Sequence, residues 1–452
     1  MYQKYKRKLF IRMLLASITL FVLAACSNVS PTPTLQETEF SSVASVEIPA
    51  DTTQAELEAL YGGTAFVFRP EAGFAVLGFS ADQAALTTLS TDPSENIFAT
   101  PEITAAGWDA WAGGHGAWSG GHGAWSGGHG AWSGGHGAWS GGWDAWAGGH
   151  GAWSGGNQAT STFSQNLDIW DQINLPEAQA LAPNLGSGVK IAVIDTGIDL
   201  NHPAFAGKLA PASEWKDFVD GDSYPQEVQG SNYGHGTGVA GVILQVAPNV
   251  TILPLRVLDG DGVGDTDDVV AAMDWAIQKG ADIINLSLGA TVDDEALHTM
   301  IEYAFDQKVF VMASAGNANT EAPTFPARRA ASGPVSEYTV GVGSVSVNDI
   351  KSPFSNYGDS LELMAPGERI YTVAPDESIG YWSGTSFATP IVTGALALGI
   401  GETDDPKQFA NELSRTIVKI NDKNTDYFGD KRYNKKLGKG RLDVEAFLDK
   451  VL

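Results

Sequence analysis

Four residues whose side chains together can cleave an acyl bond stand in four short motifs: Asp195 in VIDTGID, His235 in GHGTG, Asn317 in SAGNAN and Ser386 in GTSFATP. A serine hydroxyl is a poor nucleophile at neutral pH, so Ser386 needs a base within hydrogen-bond reach, and an imidazole such as that of His235 titrates in the useful range. A carboxylate such as Asp195 can hold that imidazole in one tautomer and stabilise the imidazolium that forms. The resulting oxyanion needs donors. Asn317 offers a side-chain amide and Ser386 its own backbone N–H, close to a helix N-terminus that favours negative charge. Each motif alone has a plainer reading: a strand-end aspartate is often a cap, HGTG a glycine-rich turn, and a serine before an apolar run a helix cap. It is the set that points to nucleophilic catalysis.

In the order Asp, His, Ser, with the asparagine between the last two, the chain resembles the subtilisin-like serine proteases (subtilases, peptidase S8) over roughly Gln165 to Leu452. That resemblance implies an α/β fold, a subtilisin-like three-layer domain with a mostly parallel sheet flanked by helices. It implies a serine endopeptidase made as a zymogen, with catalytic residues Asp195, His235, Ser386 and Asn317. It also implies that an extended peptide lies between Gly262, Val263, Gly264 on one side and Ser287, Leu288, Gly289 on the other. The primary pocket would be walled by Ser287 to Gly289 and by Ser314, Ala315, Gly316, with Thr324 near its base making it shallower. No cofactor is required for catalysis. A structural Ca2+ belongs to many relatives, but the helix after His235 runs directly into QVAPN without their calcium-binding insertion, and no metal-ligand set is assigned. Gly238 and Ile391 stand where relatives often carry histidines; neither position is catalytic.

Elements able to position these residues are legible. GVKIAVIDTG reads as a fully buried strand that leaves Asp195 at its carboxyl end, where open α/β sheets place functional groups. Further buried strands are expected at ADIINLSLG, KVFVMASAGN and EYTVGVGSVSV, alternating with helices at DDVVAAMDWAIQK and DEALHTMIEYAFDQ. His235 opens a helix through GVAGVILQV, and Ser386 another through FATPIVTGALAL, with Pro390 expected in its first turn, where a missing N–H is tolerated. Asp261, Asp265, Asp267 and Asp268 crowd the rim at LDGDGVGDTDD, where they would either favour basic substrate side chains or form ordinary solvated surface.

The first 25 residues carry Lys4, Lys6, Arg7, Lys8 and Arg12, no acid, and then an apolar run, the plan of a secretory signal. That run ends in LAAC, resembling the lipobox of bacterial lipoproteins, which makes Cys26 the expected lipidation site. Cys26 is the only cysteine, so an intramolecular disulfide is excluded. Removing the signal takes the formal charge from −26 to −31, which argues against nucleic acid or an anionic membrane surface as a partner. Residues 26–46 read as a flexible tether. Residues 47–103 read as a small α+β propeptide-like domain, with strands at TAFVFRP, FAVLGFS and NIFAT and a helix around ADQAALTTLSTD.

Between residues 104 and 164 the chain becomes a low-complexity linker in which GGHGAWS recurs every seven residues, setting His115, His122, His129, His136 and His150 in register and broken at Trp143. Three glycines in each seven exclude a coiled coil, since each costs about 1 kcal/mol in a helix. The plain reading is a Gly-rich spacer; the sharper one has the imidazoles binding Zn, Cu or Ni and the indoles stacking on a glycan or a lipid interface. Taken together, the sequence predicts an exported serine endopeptidase, a cell-surface or outer-membrane lipoprotein released after processing. Its partners would be protein or peptide substrates, its own propeptide, and the membrane through lipid on Cys26, with no nucleic acid and a monomeric state. The alternatives are a dedicated maturation protease or a surface-anchored binding protein using the Trp/His repeat.

Overall fold

The structure is a computed structural model that describes residues 40, 42–80, the backbone of 102–105, and 163–330, 333–403, 406, 409–424, 432–433 and 435–452. The signal region, Cys26, most of the tether, the NIFAT strand, the helix around ADQAALTTLSTD and the Trp/His repeat lie outside the described residues. No described helix is long and apolar enough to cross a membrane.

The N-terminal part forms β1 (Ser42–Glu47), α1 (Gln54–Tyr61), β2 (Thr64–Arg69) and β3 (Phe74–Phe79), with an antiparallel sheet in the order β1-β3-β2. Helix α1 starts at a capping box in which Thr53 and Glu56 bond each other's backbone, and ends at Gly62 in the left-handed region. Alternation along β3 buries both faces. Ala75, Leu77 and Phe79 pack with Leu57 of α1, while Phe74 and Val76 join Val43 and Val67 in a cluster shared with the rest of the molecule. β1 begins inside the stretch expected to be tether, because Val43 and Ala44 fill the two faces of this sheet.

A short strand, β4 (Glu102–Ala105), precedes the larger part, which runs α2 (Leu167–Gln172), α3 (Leu175–Leu181), β5 (Lys190–Asp195), β6 (Lys216–Asp217), α4 (His235–Val246), β7 (Thr251–Arg256), β8 (Val263–Asp265) and α5 (Thr266–Gln278). It continues through β9 (Ile283–Leu286), β10 (Leu288–Gly289), α6 (Glu295–Asp306), β11 (Phe310–Ser314), β12 (Thr339–Val345), β13 (Leu363–Pro366), the hairpin β14 (Ile370–Ala374) and β15 (Ser378–Trp382), α7 (Thr385–Ile400), α8 (Phe409–Arg415), β16 (Ile417–Val418), β17 (Arg441–Leu442) and α9 (Val444–Val451). The central sheet has the order β16-β17-β13-β12-β11-β9-β5-β7-β6 and is parallel except for the β16/β17 pair.

Three layers follow from side-chain alternation. In β5, Ile191 and Val193 point into the cluster built by α4 and α7, and Ala192 and Ile194 into the one built by α5 and α6. The expected strands and helices of this part are present, with ends differing by a residue or a few. Pro390 differs: α7 starts at Thr385, so the proline is its sixth residue and lies inside the helix.

Candidate active site

Asp195 ends β5 and His235 begins α4, and the two meet in a hydrogen bond of 2.7 Å between Asp195 Oδ1 and His235 Nδ1, both side chains fully buried. Asp195 Oδ1 also accepts from Thr196 N at 2.7 Å. The imidazole is boxed by aromatic rings: Phe387 lies 5.4 Å away and Trp382 6.3 Å away, both edge to face, and these two rings stack on each other.

Ser386 is the second residue of α7 and is also buried. Its Oγ donates to the carbonyl of Ser287 at 3.1 Å, while His235 Nε2 has no hydrogen-bond partner among the described residues. The interior position of Pro390 explains a second link to Ser287. Proline has no N–H to give the carbonyl four residues earlier, which here belongs to Ser386, and Ser287 Oγ donates to that carbonyl instead at 2.8 Å. Asn317 Oδ1 accepts from Thr385 N at 2.9 Å and from Thr385 Oγ1 at 3.1 Å, so the orientation of the amide is fixed.

The predicted substrate segments come together around the protein's own chain. β4 lies between β8 and β10, antiparallel to both. Glu102 is opposite Asp265, Ile103 opposite Gly264, Thr104 opposite Val263 and Gly289, and Ala105 opposite Leu288. β4 crosses the boundary at residue 103 that the sequence suggested, since its strand character comes from the two edges it joins. Gly262, at φ +79°, turns the chain into β8. Ser314 Oγ bonds Leu288 O, tying the two predicted pocket walls, and Ala315 and Gly316 continue the second wall after β11. Thr324 stands between these walls: a Cβ added to Gly289 would fall 2.4 Å from its Oγ1, and one added to Gly316 would fall 2.8 Å from its Cγ2.

Sequence reasoning missed Glu227. It reaches the site from the loop before α4 and is buried. Burial pushes its carboxyl up to about 8, opposed by the Gly234 and Thr237 N–H groups and reinforced by the charge of Asp195. No motif marks it, because a glutamate among polar loop residues reads as solvated. Three aspartates of the acidic stretches DFVDGD and LDGDGVGDTDD are engaged within the protein. Asp217 is spent on Arg256 and the N–H groups of Val219 and Asp220, Asp259 on those of Asp261 and Val263, and Asp261 on Ser231. Among the described residues no three His, Cys, Asp or Glu side chains converge as metal ligands.

This arrangement has known counterparts. The profile of the Subtilase family (peptidase S8) matches residues 186–440. Thermitase from Thermoactinomyces vulgaris is 37% identical over 273 residues, covering 58% of this chain and 92% of that one, and subtilisin DY from Bacillus licheniformis is 34% identical over 276 residues, covering 58% and 91%. The chain belongs to the Subtilase family. As a subtilase it is a serine endopeptidase that needs no cofactor for catalysis, and the reading as a non-enzymatic binding protein is left without support. A crystal structure of a cold adapted subtilisin-like serine proteinase is also similar, at 36% identity and a TM-score of 0.47, covering 54% of this chain and 86% of that one.

Proposed function

We propose that this subtilase is an exported zymogen in which Ser386 is the nucleophile, His235 the general base, Asp195 its orienting carboxylate, and Asn317 with the Ser386 N–H the oxyanion donors. The 2.7 Å bond between Asp195 and His235 supports the pair, since a base held through Nδ1 presents Nε2 to the nucleophile. Rotation about the Cα–Cβ bond of Ser386 would carry Oγ from the Ser287 carbonyl toward Nε2; such contacts commonly tighten only with substrate bound. With Asn317 Oδ1 held by Thr385, the Nδ2 hydrogens are what its amide offers to a developing oxyanion.

The observation that carries the zymogen reading is β4, seated antiparallel between β8 and β10 as a peptide substrate would be. Antiparallel pairing extended by one residue beyond Ala105, which is opposite Leu288, would bring the carbonyl of Ala106 opposite Ser287, the residue that bonds Ser386. The scissile bond is therefore Ala106–Gly107. The side chain entering the primary pocket is then a methyl group, which suits a pocket that Thr324 partly fills. Residues 42–105 act as propeptide, and cleavage leaves the Trp/His repeat on the peptidase. With lipid on Cys26, the same cut would free the peptidase from its membrane anchor.

Expression of the full chain and of Ser386→Ala in a host lacking extracellular proteases tests this. The wild type should yield a product beginning at Gly107 and label with a fluorophosphonate at Ser386, and Ser386→Ala should stay uncut and unlabelled. Identical processing of both forms would refute self-cleavage.

A further inference from the structure

Asp195 and His235 come from different elements, 40 residues apart, so their 2.7 Å contact depends on how the end of β5 is held against the first turn of α4. One buried side chain touches both. Glu227 Oε1 accepts from the hydroxyl of Thr196, the residue after Asp195, at 3.1 Å, and from Thr237 N at 3.0 Å and Thr237 Oγ1 at 3.2 Å. Its Oε2 accepts from Gly234 N at 2.9 Å, the residue before His235. Thr196 Oγ1 in turn accepts from Gly236 N at 3.0 Å, closing a ring of bonds around the aspartate and histidine backbones.

The N–H groups at the start of α4 lack partners within the helix, and Glu227 supplies acceptors to two of them, at Gly234 and Thr237. A cap of that kind needs only the helix. The bond from Thr196 is what a cap has no use for, and it extends the grip of Glu227 to the strand that carries Asp195.

We propose that Glu227 is a positioning residue for catalysis, fixing the distance and angle between Asp195 and His235 by clamping Thr196 on one side and Gly234 and Thr237 on the other. The inference rests on the reading of Asp195 and His235 as the catalytic pair. Glu227 acts through these two residues and has no hydrogen bond to either. Misplacement of reacting groups by about 1 Å can cost on the order of 10²-fold in rate.

The test uses the full chain after self-processing, with Glu227→Gln, Glu227→Asp and Thr196→Val compared against wild type on a chromogenic peptide anilide. Glu227→Gln and Thr196→Val are expected to lower kcat by about 10- to 100-fold with KM held within about twofold, and to shift the low-field proton resonance of the His235–Asp195 hydrogen bond. Glu227→Asp should recover part of the loss. Combining Glu227→Gln with Thr196→Val should be no worse than the poorer single change, since both break one clamp. Thr196→Val, which keeps the Glu227 bonds to Gly234 and Thr237 while also removing the acceptor of the Gly236 N–H, carries the test if Glu227→Gln does not fold. Values of kcat and an imidazole resonance unchanged in Thr196→Val, with Glu227→Gln altering only thermal stability, would make Glu227 a plain cap and overturn the proposal. Failure of the triad reading shows separately, as a wild-type chain that turns over yet does not label at Ser386.

Discussion

Ser386 illustrates how a catalytic residue is held by what its neighbours lack. Pro390 cannot donate to the Ser386 carbonyl, and the hydroxyl of Ser287 takes over that bond while the Ser287 carbonyl accepts from Ser386 Oγ. Ser287 Oγ also accepts from Asn285 Nδ2 at 3.0 Å, all of it buried. Ser287→Ala should therefore leave two buried polar groups short of a partner and cost about 1–3 kcal/mol of stability. Measured by denaturant unfolding in a Ser386→Ala background to suppress autolysis, that cost should shrink when Pro390→Ala is added, because an alanine at that position supplies the missing N–H. Strictly additive effects of the two changes would show that the proline is not the reason for the bond.

Long elements were the most legible part of the fold, and short ones the least. The apolar runs of β5, β11 and β12 and the amphipathic α5 and α6 announce themselves by periodicity, and alternation along them fixes which helix layer each side chain meets. β4 is four residues long and owes its conformation to β8 and β10, more than 150 residues away, so nothing local marks it. Glu227 was invisible for the same reason: its partners lie on two other elements. Long range also governs how the N-terminal sheet docks. Arg69 of β2 forks onto Asp274 of α5 at 2.8 and 2.6 Å, Thr299 of α6 bonds Ser45 of β1, and Phe74 meets Tyr303 edge to face. Burial pushes the Asp274 carboxyl up against the pull of Arg69, so that carboxylate depends on its partner. Arg69→Ala should weaken retention of the cleaved N-terminal part by about 2 kcal/mol, roughly 30-fold. Size-exclusion chromatography of the processed protein at falling concentration would register it as earlier dissociation; unchanged co-elution would assign the docking to the apolar face alone.

Across the whole molecule, acidity and burial combine into a pH dependence. The chain carries a formal charge of −26, and two of its carboxyls, Glu227 and Glu362, are buried and pushed up to about 8 from an ordinary 4.5, chiefly by loss of solvent. Between those values the folded state holds protons that the unfolded chain releases. The contribution of each group is therefore complete below about pH 4.5 and is lost as pH climbs through about 8. Lys351, whose ammonium burial lowers to about 8, acts in the opposite sense, but only between about pH 8 and its ordinary 10.5, outside that window. Growing repulsion among the surface carboxylates acts in the same direction as the two buried acids. The thermal midpoint of the Ser386→Ala chain should thus fall between pH 5 and pH 8. Glu362→Gln should flatten that fall, since the amide keeps an acceptor for the Gly341 N–H and has no proton to lose. A midpoint that rises over the same interval, or a slope that Glu362→Gln leaves untouched, would mean that the carboxyl is already ionised in the fold and held so by Gly341 and Lys439.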